Sequence, residues 1–204
     1  MGPDGTSNTR QRLIEAAITM MEQGGESAVR IKTVAAMAHI TEPSVYHFFG
    51  SRAGLIEAAQ IERFHRSQHD VVGVFASMIR DCTSQEQFFE IVREVLLGTY
   101  SDSRAPFRSI RAEIIGSAQS RSALREVVVE AQDAVHASLA EQIEFAKTKG
   151  WVRADLDSIA FATWITSLNN GRAVVDLDPK STVGDAWNQI SLDAVLRLLA
   201  PVGR

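Results

Sequence analysis

Residues 40–56 read ITEPSVYHFFGSRAGLI, and this stretch decides how the rest of the chain is to be read. Thr41 suits a helix N-cap, because its hydroxyl can accept from a backbone N–H that has no partner inside the helix. Pro43 falls in the first turn, where a missing N–H costs nothing, and Glu42 beside it suits the positive end of the helix dipole. The proline therefore starts a helix, Gly50 ends it, and Ser51 caps the next. A helix of eight residues is not stable alone. The cluster Tyr46-His47-Phe48-Phe49 must be buried against something nearby or held out for a partner.

Upstream, IKTVAAMA places Ile31, Val34, Ala35 and Ala38 on one face of a helix of two turns. His39 follows at a position where helices end in a left-handed residue. Residues 31–49 are thus two short helices joined by a tight turn, behind a first helix. That is the helix-turn-helix layout, whose second helix enters the major groove of DNA. On that second helix Val45, Phe48 and Phe49 recur at spacings of three and four and face a core. Ser44 and His47 fall on the other face, beside Pro43 and Tyr46.

Helical spacing continues along the whole chain, and no alternating run bounded by turns suggests a strand. The first helix carries the stripe Leu13, Ile14, Ala17, Ile18, Met20, Met21 and stops at Gly24-Gly25. Ser51 opens a long fourth helix expected to reach Ile79. Further helices are expected over 84–101, 106–119 (with Pro106 at its start), 122–149, from Asp157 or Ser158 to Val175, and 184–199. The expectation is an all-α chain of about nine helices: a three-helix head over 1–52 and a larger helical domain over 53–204.

The formal net charge of −4 looks wrong for a nucleic-acid binder until it is resolved by region. Arg30, Lys32 and Arg52 stand against the single acid Glu42 in the span 30–52, so the positive charge is local. One cysteine, Cys82, excludes an intramolecular disulfide and a cysteine metal cage. The N-terminus has no signal-like apolar segment and nowhere do 18 apolar residues run together, so a cytoplasmic protein outside the membrane is expected. His65 and His69 sit one turn apart with Glu62 nearby, but no third histidine or cysteine ligand is identifiable, and the group reads as a solvated helix face. No glycine-rich phosphate loop, HExxH or GxSxG occurs, and no catalytic site, metal or cofactor is assigned.

The run Arg12-Leu13-Ile14-Glu15-Ala16-Ala17, then Val34-Ala35, Ala38, Ile40-Thr41, Ser44-Val45-Tyr46, Phe49, Ser51-Arg52 and Leu55-Ile56 resembles the N-terminal signature of the tetracycline-repressor (TetR) family of transcription regulators. The resemblance implies that Tyr46 and Arg52 contact phosphate, and that Pro43, Ser44 and His47 approach base edges. Thr33 and Thr41 would bond phosphate near helix N-termini. Three positions depart from the family pattern. Arg30 replaces a capping hydroxyl and could reach a phosphate itself, with Lys32 as its neighbouring cation. His39 replaces a turn glycine. Glu42 replaces a basic or polar residue and could accept from a cytosine amino group.

In SIAFATWITSLNNG the apolar residues leave almost no solvent face, and the helix over 184–199 carries a second broad stripe. Helices at 158–175 and 184–199 are therefore expected to form a homodimer interface, an arrangement the resemblance also implies. Phe75, Phe88, Tyr100, Phe107, His136, Trp164 and Asn169 are candidate lining for a small-molecule effector site, being aromatics and a few polar groups on core helices. The reading is a ligand-responsive repressor of a palindromic, double-stranded operator. Its rivals are a small-molecule binder or enzyme that does not use DNA, and a DNA binder with no inducer.

Overall fold

The computed structural model describes residues 3–67, 71–178, 180 and 182–201. Among them every regular element is helical. The chain runs α1 (Pro3–Ala28), α2 (Ile31–Met37), α3 (Glu42–Phe49), α4 (Arg52–Ser67), α5 (Val71–Arg80), α6 (Gln85–Tyr100), α7 (Ala105–Ala118), α8 (Ser122–Thr148), α9 (Ser158–Val175) and α10 (Gly184–Leu199), with a 3-10 turn at Asp102–Arg104. No helix among the described residues is long and apolar enough to cross a membrane. Contacts divide the chain into two compact units, Met1–Gln68 with Ile114–Val128, and His69–Glu113 with Val129–Arg204.

The expected fourth helix is helical over both described stretches, α4 to Ser67 and α5 from Val71, and residues 68–70 between them lie outside the described residues. On α4 the apolar stripe Leu55, Ile56, Ala59, Phe64 is buried. The Ser67 hydroxyl donates to the Phe64 carbonyl at 2.8 Å. His65 is exposed on α4; its expected companion His69 lies outside the described residues.

In the first unit α1 packs on α2 and α4, and α3 packs on α2 and α4. Leu13, Ala17, Val34, Val45, Leu55 and Ala59 meet in a fully buried nucleus. The link between α2 and α3 closes as a Schellman turn. Ile40 N–H donates to the Ala35 carbonyl at 2.9 Å and His39 N–H to Ala36 at 3.1 Å. His39 takes φ 53°, the left-handed value expected at that position, and is the only non-glycine among the described residues to do so. Arg12 donates a guanidinium N–H to the Ala38 carbonyl just before it. Gly50 (φ 70°) ends α3, and the Ser51 hydroxyl accepts from Gly54 N–H at 3.0 Å to open α4.

The second unit is built on rings and buried charge. α6 packs against α5, α9 and α10, burying Ile79, Phe88, Tyr100, Leu192, Val195 and Leu199. Phe88 meets Phe89 edge-on at 5.5 Å and Trp151 at 6.1 Å, and Tyr100 meets Trp187 edge-on at 5.2 Å. Two buried guanidiniums share one carboxylate. Arg108 grips Asp176 through Nε (2.6 Å) and Nη2 (3.1 Å), and Arg172 bonds the same carboxylate from one turn earlier. Arg108 also donates to the carbonyls of Thr99 and Ser101, tying the end of α6 to the end of α9.

Two measurements probe these devices. A β-branched side chain tolerates the left-handed region poorly, so His39→Val should lower unfolding stability by about 1–2 kcal/mol, whereas His39→Gly should be at least as stable as the parent in urea. Asp176→Ala strands Arg108 and Arg172, whose side chains are 2 % and 5 % exposed. Its expected cost is about 3–5 kcal/mol. Asp155→Ala, in the solvated pair with Arg153, should leave the urea midpoint where it is.

Candidate nucleic-acid interface

α3 is held from three sides and open on the fourth. Val45 is completely buried, and Phe48 and Phe49 are partly buried against the nucleus of the first unit. Arg10 lies over the Phe49 ring at 5.4 Å, and Phe48 meets His47 edge-on at 5.3 Å. With that face committed, Glu42, Pro43, Tyr46 and His47 are turned outward and exposed, and Ser44 is half-buried between the two faces. Tyr46 is 52 % exposed, a large fraction for an aromatic residue on a short helix in a packed unit.

Thr41 occupies the N-cap of α3, but its hydroxyl does not take a backbone N–H. It pairs with the Ser44 hydroxyl at 2.9 Å, which ties two of the expected DNA-contacting side chains together at the start of the helix. Arg30 stands at the N-cap of α2 without a side-chain cap, and its Nη1 donates to the Ser27 carbonyl at 2.6 Å. Lys32 and Thr33 follow in the first turn, exposed. Arg52 donates from Nε to the Val29 carbonyl at 2.8 Å and from Nη2 to the Glu26 carbonyl. Those bonds use two of the five N–H groups of the guanidinium and hold its plane in place.

A polar cluster that sequence reasoning passed over lies in the same unit. The Glu26 carboxylate accepts from Gln60 Nε2 (2.9 Å), Ser117 Oγ (2.6 Å) and Arg121 Nη2 (2.6 Å). Burial pushes this carboxyl up, but the three hydrogen bonds and the Arg121 charge outweigh it and hold the group below its ordinary value. The partners lie 34, 91 and 95 positions along the chain, so no local pattern could have announced them.

The candidate effector residues differ in burial and in what they pack against. Phe75, Phe88 and Tyr100 belong to the ring core of the second unit. Phe107 is exposed, with the Arg104 guanidinium 5.8 Å from its ring centre. Trp164 is also exposed and packs on Phe161 at 5.7 Å. It lines a shallow open depression of about 290 Å³ with Leu156, Asp157, Ala160, Phe161 and Leu198. His136 bonds Thr166 at 2.9 Å. Among the described residues, two buried polar atoms lack a hydrogen-bond partner, Tyr100 Oη and Asn169 Oδ1, and burial pushes the Tyr100 phenol up to about 12.

Comparison with known proteins bears on this geometry. The family model for bacterial regulatory proteins of the tetR family matches residues 13–59, from the core of α1 into α4. A probable HTH-type transcriptional regulator of Bacillus subtilis (strain 168), YttP, is 25 % identical over 89 residues, which is 44 % of this chain and 42 % of that protein. A putative TetR-family transcriptional regulator from Rhodococcus sp. has a crystal structure similar over 95 % of this chain and 100 % of its own, with a TM-score of 0.62 and 23 % identity. The structure of a putative transcriptional regulator from Saccharomonospora viridis in complex with choline is similar over 95 % of this chain and 98 % of its own (TM-score 0.65, 19 % identity). At these identities the two structures speak for the fold: a helix-turn-helix head followed by a helical domain.

Proposed function

We propose that this chain, a TetR-family DNA-binding regulator, is a homodimeric repressor that leaves a palindromic operator when a small molecule binds its larger unit. The exposed face of α3 carries this reading: Pro43, Ser44, Tyr46 and His47 sit on a helix whose opposite face is committed to a buried nucleus. A helix held that way can enter a major groove without rearranging its support. Tyr46 and Arg52, with Arg30, Lys32, Thr33 and Thr41, would position the head on phosphates. Pro43, Ser44 and His47 would read base edges, and Glu42 would favour a cytosine amino group. The DNA-binding head is residues 1–52, and residues 53–204 serve effector binding and dimerisation in the cytoplasm.

The dimer is proposed through α9 and α10. Ile159, Trp164, Ile190 and Leu198 leave large apolar surfaces in solvent on these two helices. Apolar surface repeated on two packed helices marks an interaction site rather than scattered exposure. An effector would favour a conformation of the dimer in which the two reading helices no longer match successive major grooves. The orphaned Tyr100 Oη and Asn169 Oδ1 support a ligand with polar groups of its own.

DNA selected from a genomic pool at stated salt should contain inverted half-sites about one helical turn, or a multiple of it, apart, with affinity falling steeply as salt rises. Within the selected site Tyr46→Phe and Arg52→Ala should weaken binding to every sequence, whereas His47→Ala should relax preference at particular base pairs. A pool that yields no enriched sequence would overturn the regulator reading.

Leu198→Glu or Ile190→Glu would place a charge in the proposed dimer face. Light scattering should then show monomer or insoluble protein, and operator affinity should collapse although residues 1–52 are untouched. A wild-type monomer at micromolar concentration that still binds a full operator tightly would sink the two-headed mechanism.

A further inference from the structure

Glu26 stands where α1 gives way to the helix pair that reads DNA. Gly24 and Gly25 leave the helical region, Gly25 with φ 66°, and α2 begins five residues after Glu26. The side chain is mostly buried and fully engaged. Gln60 reaches it from α4, Ser117 from α7, and Arg121 from the corner between α7 and α8. Gln60 is itself completely buried and accepts from Arg63 Nη1 at 3.0 Å. Ser117 is held in turn by Arg121 Nη1. The Glu26 main chain is tied as well: its carbonyl accepts from Val29 N–H at 3.2 Å and from Arg52 Nη2.

Two features set this cluster apart from ordinary packing. An ion pair taken partly out of water gives little net stability over apolar side chains of the same volume, so its presence argues for a role beyond holding the fold. It is also sensitive to distance, because a charge-assisted bond of 2.6 Å weakens sharply when one partner moves away, whereas an apolar contact slides. The partners that would move are Ser117 on α7 and Arg121 at the corner between α7 and α8. Each of these helices runs continuously between residues of the first unit (114–128) and residues of the second.

We infer that Glu26 is a positioning residue for DNA reading, and that its bond to Arg121 is the link through which the α7–α8 corner sets the seating of α2 and α3. This rests on the regulator reading above and adds the residues that would carry its regulation. With Arg121 in place, Glu26 fixes the turn after Gly25. The turn presents the Glu26 and Val29 carbonyls to Arg52, and Arg52 pins the start of α4 beside α3. When the corner withdraws Arg121, the carboxylate loses its counter-charge, and the turn that seats α2 and α3 is no longer held from that side.

The test uses the full-length chain as wild type, Arg121→Met, Arg121→Lys and Glu26→Gln. Ile18→Val, in the nucleus of the same unit, is a control for plain loss of stability. Amide hydrogen exchange is followed in the DNA-free protein, and affinity is measured for the duplex that the wild type selects from a genomic pool. Arg121→Met and Glu26→Gln should each speed exchange over residues 26–40 relative to residues 55–64 and weaken operator binding by about tenfold, within the usual range for coupling between sites. Arg121→Lys should recover most of both, and Ile18→Val should change neither the pattern of exchange nor the affinity beyond its effect on overall stability.

Operator affinity for Arg121→Met within twofold of wild type, with unchanged exchange over 26–40, would overturn the inference. So would exchange that rises equally over the whole unit, which is the signature of a structural role alone. If the wild type enriches no DNA, the regulator reading falls, and the exchange pattern by itself still decides whether Glu26 and Arg121 seat the helix pair.

Discussion

A helix of eight residues cannot hold itself together, and the architecture of the first unit follows from that constraint. α3 makes too few internal hydrogen bonds to offset the entropy of ordering it, so it exists only where burial adds the difference. Val45 supplies the anchor, with Phe48 and Phe49 as partly buried flanks. Once those three positions face inward, helical geometry leaves Tyr46 and His47 no choice but to face outward. The display of the candidate reading face is therefore a consequence of the packing that keeps the helix folded. The same economy explains the turn before it. A Schellman closure through a left-handed His39 is the shortest way to bring α3 across α2, and the strain at His39 is accepted in return for that geometry.

The parts of the fold legible in the sequence are those written locally. Pro43 in a first turn, Gly50 after α3, Ser51 as the cap of α4 and Asp157 as the cap of α9 each act within four residues, and each is found where its chemistry places it. The left-handed His39 was legible for the same reason. Thr41 shows a partial failure. Its position as N-cap was right, but the hydroxyl had a second acceptor-donor within reach in Ser44 and took it.

The illegible parts are contacts between distant positions. Glu26 reads in the sequence as an acid in a loop after two glycines, and Arg121 as a base before a helix. Nothing in either neighbourhood specifies the other across 95 residues. Arg108 and Asp176 are 68 residues apart, and a charged side chain carries no local sign that a distant partner will let it be buried. Among the candidate effector residues, aromatic type and helical placement do not distinguish Phe107 and Trp164, which are exposed, from Phe75, Phe88 and Tyr100, which are core. Residue type selects what a side chain can do, and only the tertiary fold decides which of those options it has.

The two units spend buried charge differently. In the second unit Asp176 is nearly enclosed and holds two guanidiniums, one of which also grips two main-chain carbonyls. No member of that group can leave without stranding a charge in a dry site, so the group acts as a rivet. In the first unit Glu26 and Arg121 keep 27 % and 18 % of their side-chain surface in contact with solvent. Water is near enough to receive either partner if they separate, which lowers the cost of opening the pair. Under the proposed function, the effector-binding part would have to keep its shape while a ligand is recognised, and the part that seats the reading helices would have to be able to lose its seat. A rivet in one and a latch in the other is the distribution of polar bonds that such a division of labour would require.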